Sequence, residues 1–359
     1  MGLGRLLVPG GFPLHHREAR SARSQPALIR SDGPARSSTN HRNKKRPEVS
    51  RFVNDPAGPG GESAPDNQGL RSNGDYFPRG RRLPQQSPLF WVAEKDRYLR
   101  QLLIRDIEEL TGRRLLVYFA DCESGDQGVQ ITSSDDAYLA ELLGSSAPEP
   151  TDLLLETDGG STDATEKLVA LLRSCAPDLR VIVPRRAKSN GTLLALASAE
   201  VLMGITSELG PIDPILTVSP QMRFSAHLLV GDDVDPLLRR TAEDAIAQTK
   251  KLATTLLETG MLRGRPDAEI SEIVDKLAGR DHFHSHGSVI DAEEATALGL
   301  RIKLLPLDDH LWQCIWLLRC MYAHDLRNQQ LVKVFEGRKL SNALRANGRL
   351  EIEPVTKPV

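Results

Sequence analysis

Between residues 115 and 203, short uninterrupted apolar runs alternate with segments of helical periodicity. The apolar runs predict strands at residues 115–119, 153–155, 181–183 and 200–203. The segments between them predict helices at residues 134–143, 163–173 and 192–199. A strand made of one continuous apolar run is buried on both faces, as in a parallel sheet covered by helices. The sequence therefore predicts an α/β fold with a parallel sheet.

The regions on either side of this alternation have a different pattern. Apolar residues recur at helical spacing up to Thr111, and Gly112 is expected to end that helix. After Pro214 the sequence is mostly helical, at residues 236–259, 267–277, 291–298 and 310–322. The last of these helices carries large apolar residues that favour core packing over an interface with another chain: Leu311, Trp312, Ile315, Trp316 and Leu318. The residues from 328 onward read as a polar extension.

The charges of the chain are unevenly distributed. The 359 residues include 46 basic and 48 acidic ones, but residues 1–90 contain 15 basic and 7 acidic residues, whereas the remainder contains 31 and 41. Residues 1–86 are rich in Arg, Ser, Pro, Gly and Asn, with too few apolar residues for a core. They predict a disordered basic tail. The acidic remainder argues against a nucleic-acid-binding surface on the folded domain.

Cysteine content and hydropathy restrict the class of protein further. The four cysteines form no C-x-x-C pair, which is typical of reduced, structural thiols. The apolar runs are much shorter than the ~18–20 residues of a membrane-spanning helix, and the N-terminus lacks the apolar region of a secretory signal. We therefore expect a soluble cytoplasmic protein with no membrane span. It is predicted to consist of a tail (1–86), a folded domain (87–306) and a C-terminal helix with a polar extension (307–359).

Two adjacent glycines, Gly159 and Gly160, lie at the strand-to-helix turn after the second predicted strand. Such a pair allows positive φ and leaves N–H groups pointing into the cleft at the carboxyl end of the strand. That position suits an oxyanion hole or an anion site. A purely structural turn explains the two glycines equally well.

Ser189 follows the third predicted strand, at the head of the next helix. A serine at this position is ordinarily a helix N-cap. Two features favour a functional role instead: the small residues Ala187 and Gly191 permit close backbone approach, and this turn lies one strand–helix unit after the glycine pair. In a parallel sheet both turns emerge at the same edge, so Ser189 and the amides of Gly159 and Gly160 face one site.

Three motifs carry a resemblance to a known family: Asp158-Gly159-Gly160, residues 187–192 and residues 203–214. They resemble the serine dehydrogenase proteinase family, which is related to signal peptide peptidase A and more distantly to Clp protease and crotonase. The likeness extends over residues 87–306 and includes residues 286–290. It implies a Clp-protease/crotonase-like sheet built from ββα units, with a helical C-terminal part.

This resemblance also implies an activity, namely a serine peptidase that hydrolyses peptide bonds. Ser189 would be the nucleophile, and the backbone N–H groups of Gly159, Gly160 and Asn190 would form the oxyanion hole. A peptide or protein would be the substrate, and no cofactor or metal is expected. Because relatives assemble as rings or stacked oligomers, the resemblance implies a homo-oligomer.

Two positions depart from the family pattern and leave other functions open. Asp158 stands where relatives usually have proline, and Asn190 stands where a small residue is expected after the nucleophile. A carboxylate beside an oxyanion site opposes negative charge there unless it turns outward. One alternative is therefore an inactive scaffold or binding protein with the same fold. Another is a crotonase-like acyl-thioester enzyme, which uses the same paired amides without a nucleophilic serine.

Four residues are candidates for the general base or for its orientation. His286 is preferred as the base because its stretch matches the family motif, and Asp213 as the orienting carboxylate because it follows a Gly-Pro turn. Lys188 and Lys250 are alternative bases, as in the Ser-Lys dyads of signal peptide peptidases. Both lysines are also explained as solvated surface cations, Lys188 because neighbouring side chains at a helix start diverge and Lys250 because its helix is polar.

His282, His284 and His286 alternate in the sequence, so an extended segment would place them on one side. A zinc site is the corresponding alternative, although no acidic residue or further histidine lies at a recognisable ligand spacing. A cluster of surface histidines explains the alternation as well.

Overall fold

The computed structural model of the protein describes residues 88–144, 148–219, 221–346 and 350–352. The predicted tail, residues 1–86, lies outside the described residues. The helices are α1 (Pro88–Ala93), α2 (Lys95–Thr111), α3 (Asp135–Leu143), α4 (Thr162–Cys175), α5 (Asn190–Leu196), α6 (Pro236–Thr259), α7 (Asp267–Ala278), α8 (Ala292–Ala297) and α9 (His310–Gln329). The strands are β1 (Arg114–Ala120), β2 (Thr151–Glu156), β3 (Leu179–Val183), β4 (Arg186–Ala187), β5 (Val201–Met203), β6 (Glu208–Leu209), β7 (Ile215–Ser219), β8 (Met222–Ser225), β9 (Ile302–Leu304), β10 (Leu331–Gly337), β11 (Ser341–Arg345) and β12 (Leu350–Ile352).

The central sheet has the strand order β12-β11-β10-β1-β2-β3-β5-β9. From β1 to β9 in this order, each strand is parallel to its neighbour. Strands β10, β11 and β12 extend the other edge in antiparallel pairs. The short strands β4 and β6 form a separate parallel pair, and β3, β4 and α5 together make a ββα unit. The predicted α/β fold is therefore confirmed, and its central sheet is mainly parallel, with an antiparallel edge.

Helices cover both faces of the sheet, as the uninterrupted apolar strands predict. In β2, Leu153 and Leu155 belong to the core on one face and Leu154 to the core on the other, because successive side chains of a strand point in opposite directions. Residues of α4, α5 and α7 fill the first core. Residues of α2 and α9 fill the second, where Trp312 and Ile315 are at most 2% exposed. The predicted packing of α9 against the core is confirmed.

The ends of two helices follow from local sequence signals. Helix α2 stops at Gly112, which has φ 66° and donates its N–H to the Glu108 carbonyl oxygen. Helix α6 starts after Asp235, whose carboxylate accepts hydrogen bonds from the N–H groups of Leu237 and Leu238. Pro236 occupies the first turn of this helix.

The segment after α9 differs from the predicted polar extension, because it joins the sheet. Every residue of β10 is buried, and β10 pairs with β1. Lys333 and Glu336 are buried there because each has an oppositely charged partner. The Lys333 Nζ atom lies 2.6 Å from Asp135 Oδ1, and Arg100 Nε lies 2.9 Å from Glu336 Oε2. These charged residues interrupt the apolar pattern by which strands are predicted. The bounds of the predicted folded domain, 87–306, remain a prediction.

Cys122, Cys175, Cys314 and Cys320 are free thiols. Burial, aided by nearby Asp158, raises the pKa of the Cys122 thiol well above its usual value, so Cys122 stays protonated at neutral pH. None of the helices in the described ranges is long and apolar enough to cross a membrane.

Candidate active site

Two strand-to-helix turns lie side by side at the carboxyl end of the central sheet. The first follows β2 and contains Thr157, Gly159 and Gly160, and the second follows β4 and contains Ser189. The Thr157 N–H donates to the Arg186 carbonyl oxygen at 3.1 Å, and the Thr157 carbonyl oxygen accepts the N–H of the residue before Ser189 at 2.9 Å. The backbone itself therefore joins the two turns, as expected from the parallel topology.

Ser189 has φ 52° and ψ −118°, a conformation that non-glycine residues rarely adopt. Such a residue costs about 1–3 kcal/mol and persists only where the surrounding structure holds it. The Ser189 hydroxyl makes no capping hydrogen bond to α5, so the ordinary explanation of a serine at a helix start is wrong here. A strained strand-to-helix turn that presents a serine is the geometry of the nucleophile elbow of serine hydrolases.

Two glycines, which have no Cβ atom, leave room for the serine turn to pack against the glycine turn. Gly159 has φ 94°, and a Cβ atom added to it would lie 2.8 Å from the Lys188 carbonyl oxygen and 2.9 Å from Ser189 Cβ. A Cβ atom on Gly191 would lie 2.6 Å from Thr157 Cγ2. Any side chain at either position would force the two turns apart, so the close approach of Gly159 to Ser189 requires glycine.

The orientation of the Gly159–Gly160 peptide is set by Ile131, whose N–H donates to the Gly159 carbonyl oxygen at 2.9 Å. In a trans peptide the C=O and N–H bonds point in opposite directions, so the Gly160 N–H points away from Ile131. The Gly159 N–H is already donated to Thr157 Oγ1 at 3.1 Å. Within the described ranges, the N–H groups of Gly160 and Asn190 have no hydrogen-bond acceptor. One of these amides belongs to the glycine turn and the other to the serine turn.

Asn190 links the two turns through its side chain. It is 6% exposed, and its Nδ2 atom donates to the Gly160 carbonyl oxygen at 2.7 Å. Its Oδ1 atom is buried without a hydrogen-bond partner in the described part of the chain. The departure from a small residue at this position therefore adds a bond that holds the glycine turn against the serine turn.

Asp158, the other departure from the family pattern, is partly exposed and lies 3.5 Å from Arg186 Nη1. Burial raises the pKa of the Asp158 carboxyl group, and the charge of Arg186 opposes this shift. The arginine thus offsets part of the negative charge beside the glycine turn.

The structure brings His286 and Asp213 into contact. His286 Nδ1 lies 2.7 Å from Asp213 Oδ1, and Arg280 Nη1 lies 3.5 Å from the other carboxylate oxygen. With Nδ1–H donated to the carboxylate, the His286 Nε2 atom is left as an acceptor. Strand β6 pairs with both β4 and the residue Ile290, which places the histidine loop on the same side as Ser189. No hydrogen bond to Ser189 Oγ is present among the described residues.

The two candidate lysines have different surroundings. The Lys188 side chain is 14% exposed, and its Nζ atom donates to the Ser288 carbonyl oxygen at 2.9 Å and lies 3.3 Å from Glu208 Oε2. Burial lowers the pKa of Lys188, and Glu208 opposes this shift. The expectation that Lys188 is a solvated cation is therefore wrong. Lys250 pairs with Asp275 at 2.7 Å between α6 and α7, without contact to Ser189.

His282, His284 and His286 have separate partners, since the segment that contains them consists of bends and turns instead of a strand. His282 Nε2 lies 3.2 Å from Glu294 Oε1, and His284 Nδ1 lies 3.0 Å from the Arg280 carbonyl oxygen. In the described ranges, no group of three or more His, Cys, Asp or Glu side chains is arranged to hold a metal ion. The zinc alternative therefore lacks a ligand set here.

Sequence reasoning missed the residues that shape the site through backbone contacts. Ile131 orients the Gly159–Gly160 peptide with its backbone N–H, which every residue except proline has, so the side chain carries no signal. The Thr157 hydroxyl oxygen accepts a hydrogen bond from the Gly159 N–H. The position of this threonine between the strand and the glycines is the sequence signal that could have identified it. Arg280 contacts Asp213 across 67 residues of sequence, which no local pattern indicates.

Comparison with known proteins relates this chain to a family. The model of the family described as ClpP-like SDH-type serine proteinase matches residues 129–335. The uncharacterized proteins MJ0137 and MJ1495 of Methanocaldococcus jannaschii are 30% and 29% identical over 191 and 196 residues. These matches cover 52% and 51% of this chain but 63% and 65% of the relatives, so this chain spans less than two thirds of their length.

Two solved structures are also similar. One is a mutant of the 1510-N membrane-bound stomatin-specific protease, with 19% identity, coverage of 63% of this chain and 89% of that chain, and a TM-score of 0.34. The other is a ClpP1 mutant from Listeria monocytogenes, with 14% identity, coverage of 57% and 98%, and a TM-score of 0.36. The family match spans more than half of the chain and includes both turns and His286. This protein therefore belongs to the family of ClpP-like SDH-type serine proteinases, as its motifs predicted.

Proposed function

We propose that this protein is a serine peptidase that hydrolyses peptide bonds of peptide or protein substrates, with Ser189 as its nucleophile. The observation that carries this proposal is the strained backbone of Ser189, held between two amides without acceptors. A strained residue is retained where function needs its geometry, and free N–H groups beside a serine suit an oxyanion. The family to which the chain belongs supports the same reaction class.

In the proposed reaction, Ser189 Oγ attacks the scissile carbonyl carbon while His286 Nε2 takes the hydroxyl proton. The N–H groups of Gly160 and Asn190 hold the oxyanion, and Gly159 supplies the turn that lets them approach. The C–N bond then breaks as Nε2–H passes its proton to the leaving amine. Water attacks the acyl ester, gives a proton to Nε2, and Ser189 Oγ regains a proton as the acid leaves. Asp213 holds the imidazole and stabilises its cation throughout.

This mechanism requires a hydrogen bond between Ser189 and His286 that forms when substrate binds, since such bonds are often long in unliganded sites. We assign Lys188 a different role from the base. Its ammonium group is engaged by the Ser288 carbonyl and by Glu208, so it joins the serine turn to the histidine loop. Lys250 is engaged by Asp275 and is not assigned a part in the reaction.

A fluorophosphonate probe tests the proposal, because it labels a serine only where the site activates it. We expect one label, located on Ser189 by mass spectrometry, and none in Ser189→Ala. The matched control is Ser288→Ala, which removes a nearby hydroxyl but keeps the carbonyl that Lys188 uses, and it should be labelled normally. Folded wild-type protein that is not labelled would support the inactive scaffold. Turnover of an acyl-thioester that survives in Ser189→Ala would support the crotonase-like alternative.

We further propose that the protein is soluble, cytoplasmic and a homo-oligomer. The free thiols fit a reducing compartment, and the oligomer rests on the resemblance to Clp proteases. Light scattering coupled to size-exclusion chromatography tests the oligomer, and a mass equal to one chain would exclude it.

A further inference from the structure

A buried lysine lies outside the site described above. Lys333 of β10 has a side chain that is 1% exposed. Its Nζ atom donates to Asp135 Oδ1 at 2.6 Å and to the Gln130 carbonyl oxygen at 2.8 Å. The carboxylate of Asp135 compensates the buried charge. The contact with Gln130 satisfies a second N–H of the buried ammonium group, which has three donors.

That second contact begins a line of hydrogen bonds that ends at the candidate oxyanion site. The Gln130 C=O and the Ile131 N–H belong to one peptide group. This N–H donates to the Gly159 carbonyl oxygen at 2.9 Å. The Gly159 C=O and the Gly160 N–H belong to the next peptide group in the line. The lysine ammonium group is therefore joined to the Gly160 N–H through two peptide groups and two hydrogen bonds.

A line of hydrogen bonds of this kind makes its last N–H group, here that of Gly160, a stronger hydrogen-bond donor. A carbonyl that accepts a hydrogen bond withdraws electron density from its own peptide N–H, and each bond in a chain is strengthened by about 10–30%. A cation at the start makes the effect larger, because bonds to ionised groups are about twice as strong as neutral ones. Gly160 also packs closely against Ile131, since a Cβ atom on Gly160 would lie 2.4 Å from the Ile131 nitrogen and carbonyl oxygen.

We propose that Lys333 is a positioning residue of the oxyanion site, which polarises and orients the Gly160 N–H through the peptides Gln130–Ile131 and Gly159–Gly160. This role rests on the proposed serine hydrolase function. It also gives strand β10 a part in the reaction, because β10 supplies the cation. Burial lowers the pKa of Lys333, and the charge of Asp135, 2.6 Å away, opposes that shift.

The alternative is that Lys333 only neutralises Asp135 within the core. Replacing Lys333 alone would leave a buried carboxylate and would destabilise the fold whichever explanation holds. The informative variant is therefore the double substitution Lys333→Met with Asp135→Asn, which removes both charges at nearly constant volume. The matched control is Tyr118→Phe. It removes the 2.6 Å bond from Tyr118 Oη to Asp135 Oδ2 in the same cluster but leaves the line from Lys333 to Gly160 intact.

The experiment measures the rate of Ser189 labelling by a fluorophosphonate over a range of probe concentrations, which separates kinact from KI. We expect kinact of the double variant to fall about three- to tenfold, with KI changed less than about twofold, because the oxyanion forms only in the reacting complex. Tyr118→Phe should keep the wild-type kinact even if its Tm falls. A purely structural role of Lys333 would not separate kinact from KI in this way.

Three outcomes would overturn the proposal. An unchanged kinact in a folded double variant, with labelled wild-type protein, removes the role of Lys333 and leaves Ser189 as nucleophile. An equal loss of kinact in Tyr118→Phe assigns the effect to the integrity of the cluster. Wild-type protein that is not labelled at Ser189 overturns both the proposed function and this role. If the methionine variant does not fold, Lys333→Gln with Asp135→Asn replaces it, with the same expected loss.

Discussion

His286 Nδ1 lies 2.7 Å from Asp213 Oδ1, and the Asp213 side chain is 1% exposed. A carboxylate at that depth needs partners, and it has the imidazole on one oxygen and Arg280 near the other. The pair fixes which ring nitrogen of His286 carries the proton and leaves Nε2 free to accept one. Residues that lie 73 positions apart in the sequence thus form one unit.

Asp213→Asn is expected to slow acylation of Ser189 by about 10³-fold, because an amide at this position favours the wrong imidazole tautomer. Labelling by the fluorophosphonate measures the rate, and circular dichroism checks the fold. His282→Ala serves as the control, since His282 pairs with Glu294 on the surface and should leave the rate unchanged. Normal labelling of a folded Asp213→Asn variant would exclude the His286–Asp213 pair as the catalytic base.

Asn190→Ala is expected to lower the free energy of unfolding by about 1 kcal/mol, because it removes the hydrogen bond from Nδ2 to the Gly160 carbonyl oxygen. It should also slow labelling by about tenfold, since the two turns lose a bond that holds them in register. Urea denaturation and labelling measure the two effects. A faster reaction would show instead that the small residue of the family pattern is the better one here.

Gly159→Ala is expected to destabilise the protein by more than about 2 kcal/mol and to abolish labelling, because its φ of 94° and the surrounding backbone leave no space for a Cβ atom. Gly125→Ala is the matched control. A Cβ atom there meets nothing within 4 Å, so both stability and labelling should be retained. Labelling of Gly159→Ala at the wild-type rate would contradict the close packing of the two turns.

Asp158→Asn is expected to accelerate acylation by about two- to tenfold near neutral pH, because it removes a negative charge beside the developing oxyanion. The wild-type carboxyl group becomes neutral at a higher pH than an exposed aspartate, because burial raises its pKa. The ratio of variant to wild-type rate should therefore fall towards one as the pH is lowered through that pKa. Asp232→Asn, at an exposed surface site, is the control. A ratio of one at all pH values would place the carboxylate outside the field of the reaction.

Arg100→Met is expected to destabilise the fold by about 3–5 kcal/mol, because Asp325 and Glu336 would remain buried without their shared cation. Thermal and urea denaturation measure the loss. Arg240→Met removes an exposed pair with Asp244 and should cause no measurable change. Equal stabilities of the two variants would mean that the buried charge cluster of Arg100 contributes little to the stability of the fold.

The sheet and the two turns could be predicted because their signals are local. Uninterrupted apolar runs specify strands buried on both faces, and Gly159 with Gly160 marks a turn that other residues cannot form. The positions of Ser189 and the glycines then follow from the order of strands, since parallel strands present their carboxyl ends at one edge.

Lys188 shows where local reasoning fails, because a lysine at a helix start is usually solvated. In the structure its ammonium group donates a hydrogen bond to the carbonyl oxygen of Ser288, which lies 100 residues away in the sequence. The sequence did not predict strand β10, because the charged residues Lys333 and Glu336 interrupt its apolar pattern.

By itself, then, the sequence determined the α/β architecture, the family and the two turns that present Ser189 beside the glycine amides. Only the tertiary structure decided the approach of Arg280 to Asp213, the engagement of Lys188 and the line from Lys333 to Gly160. Periodicity and turn residues act between neighbours in the chain, whereas a buried charge is satisfied by whichever group the folded backbone brings within hydrogen-bond distance.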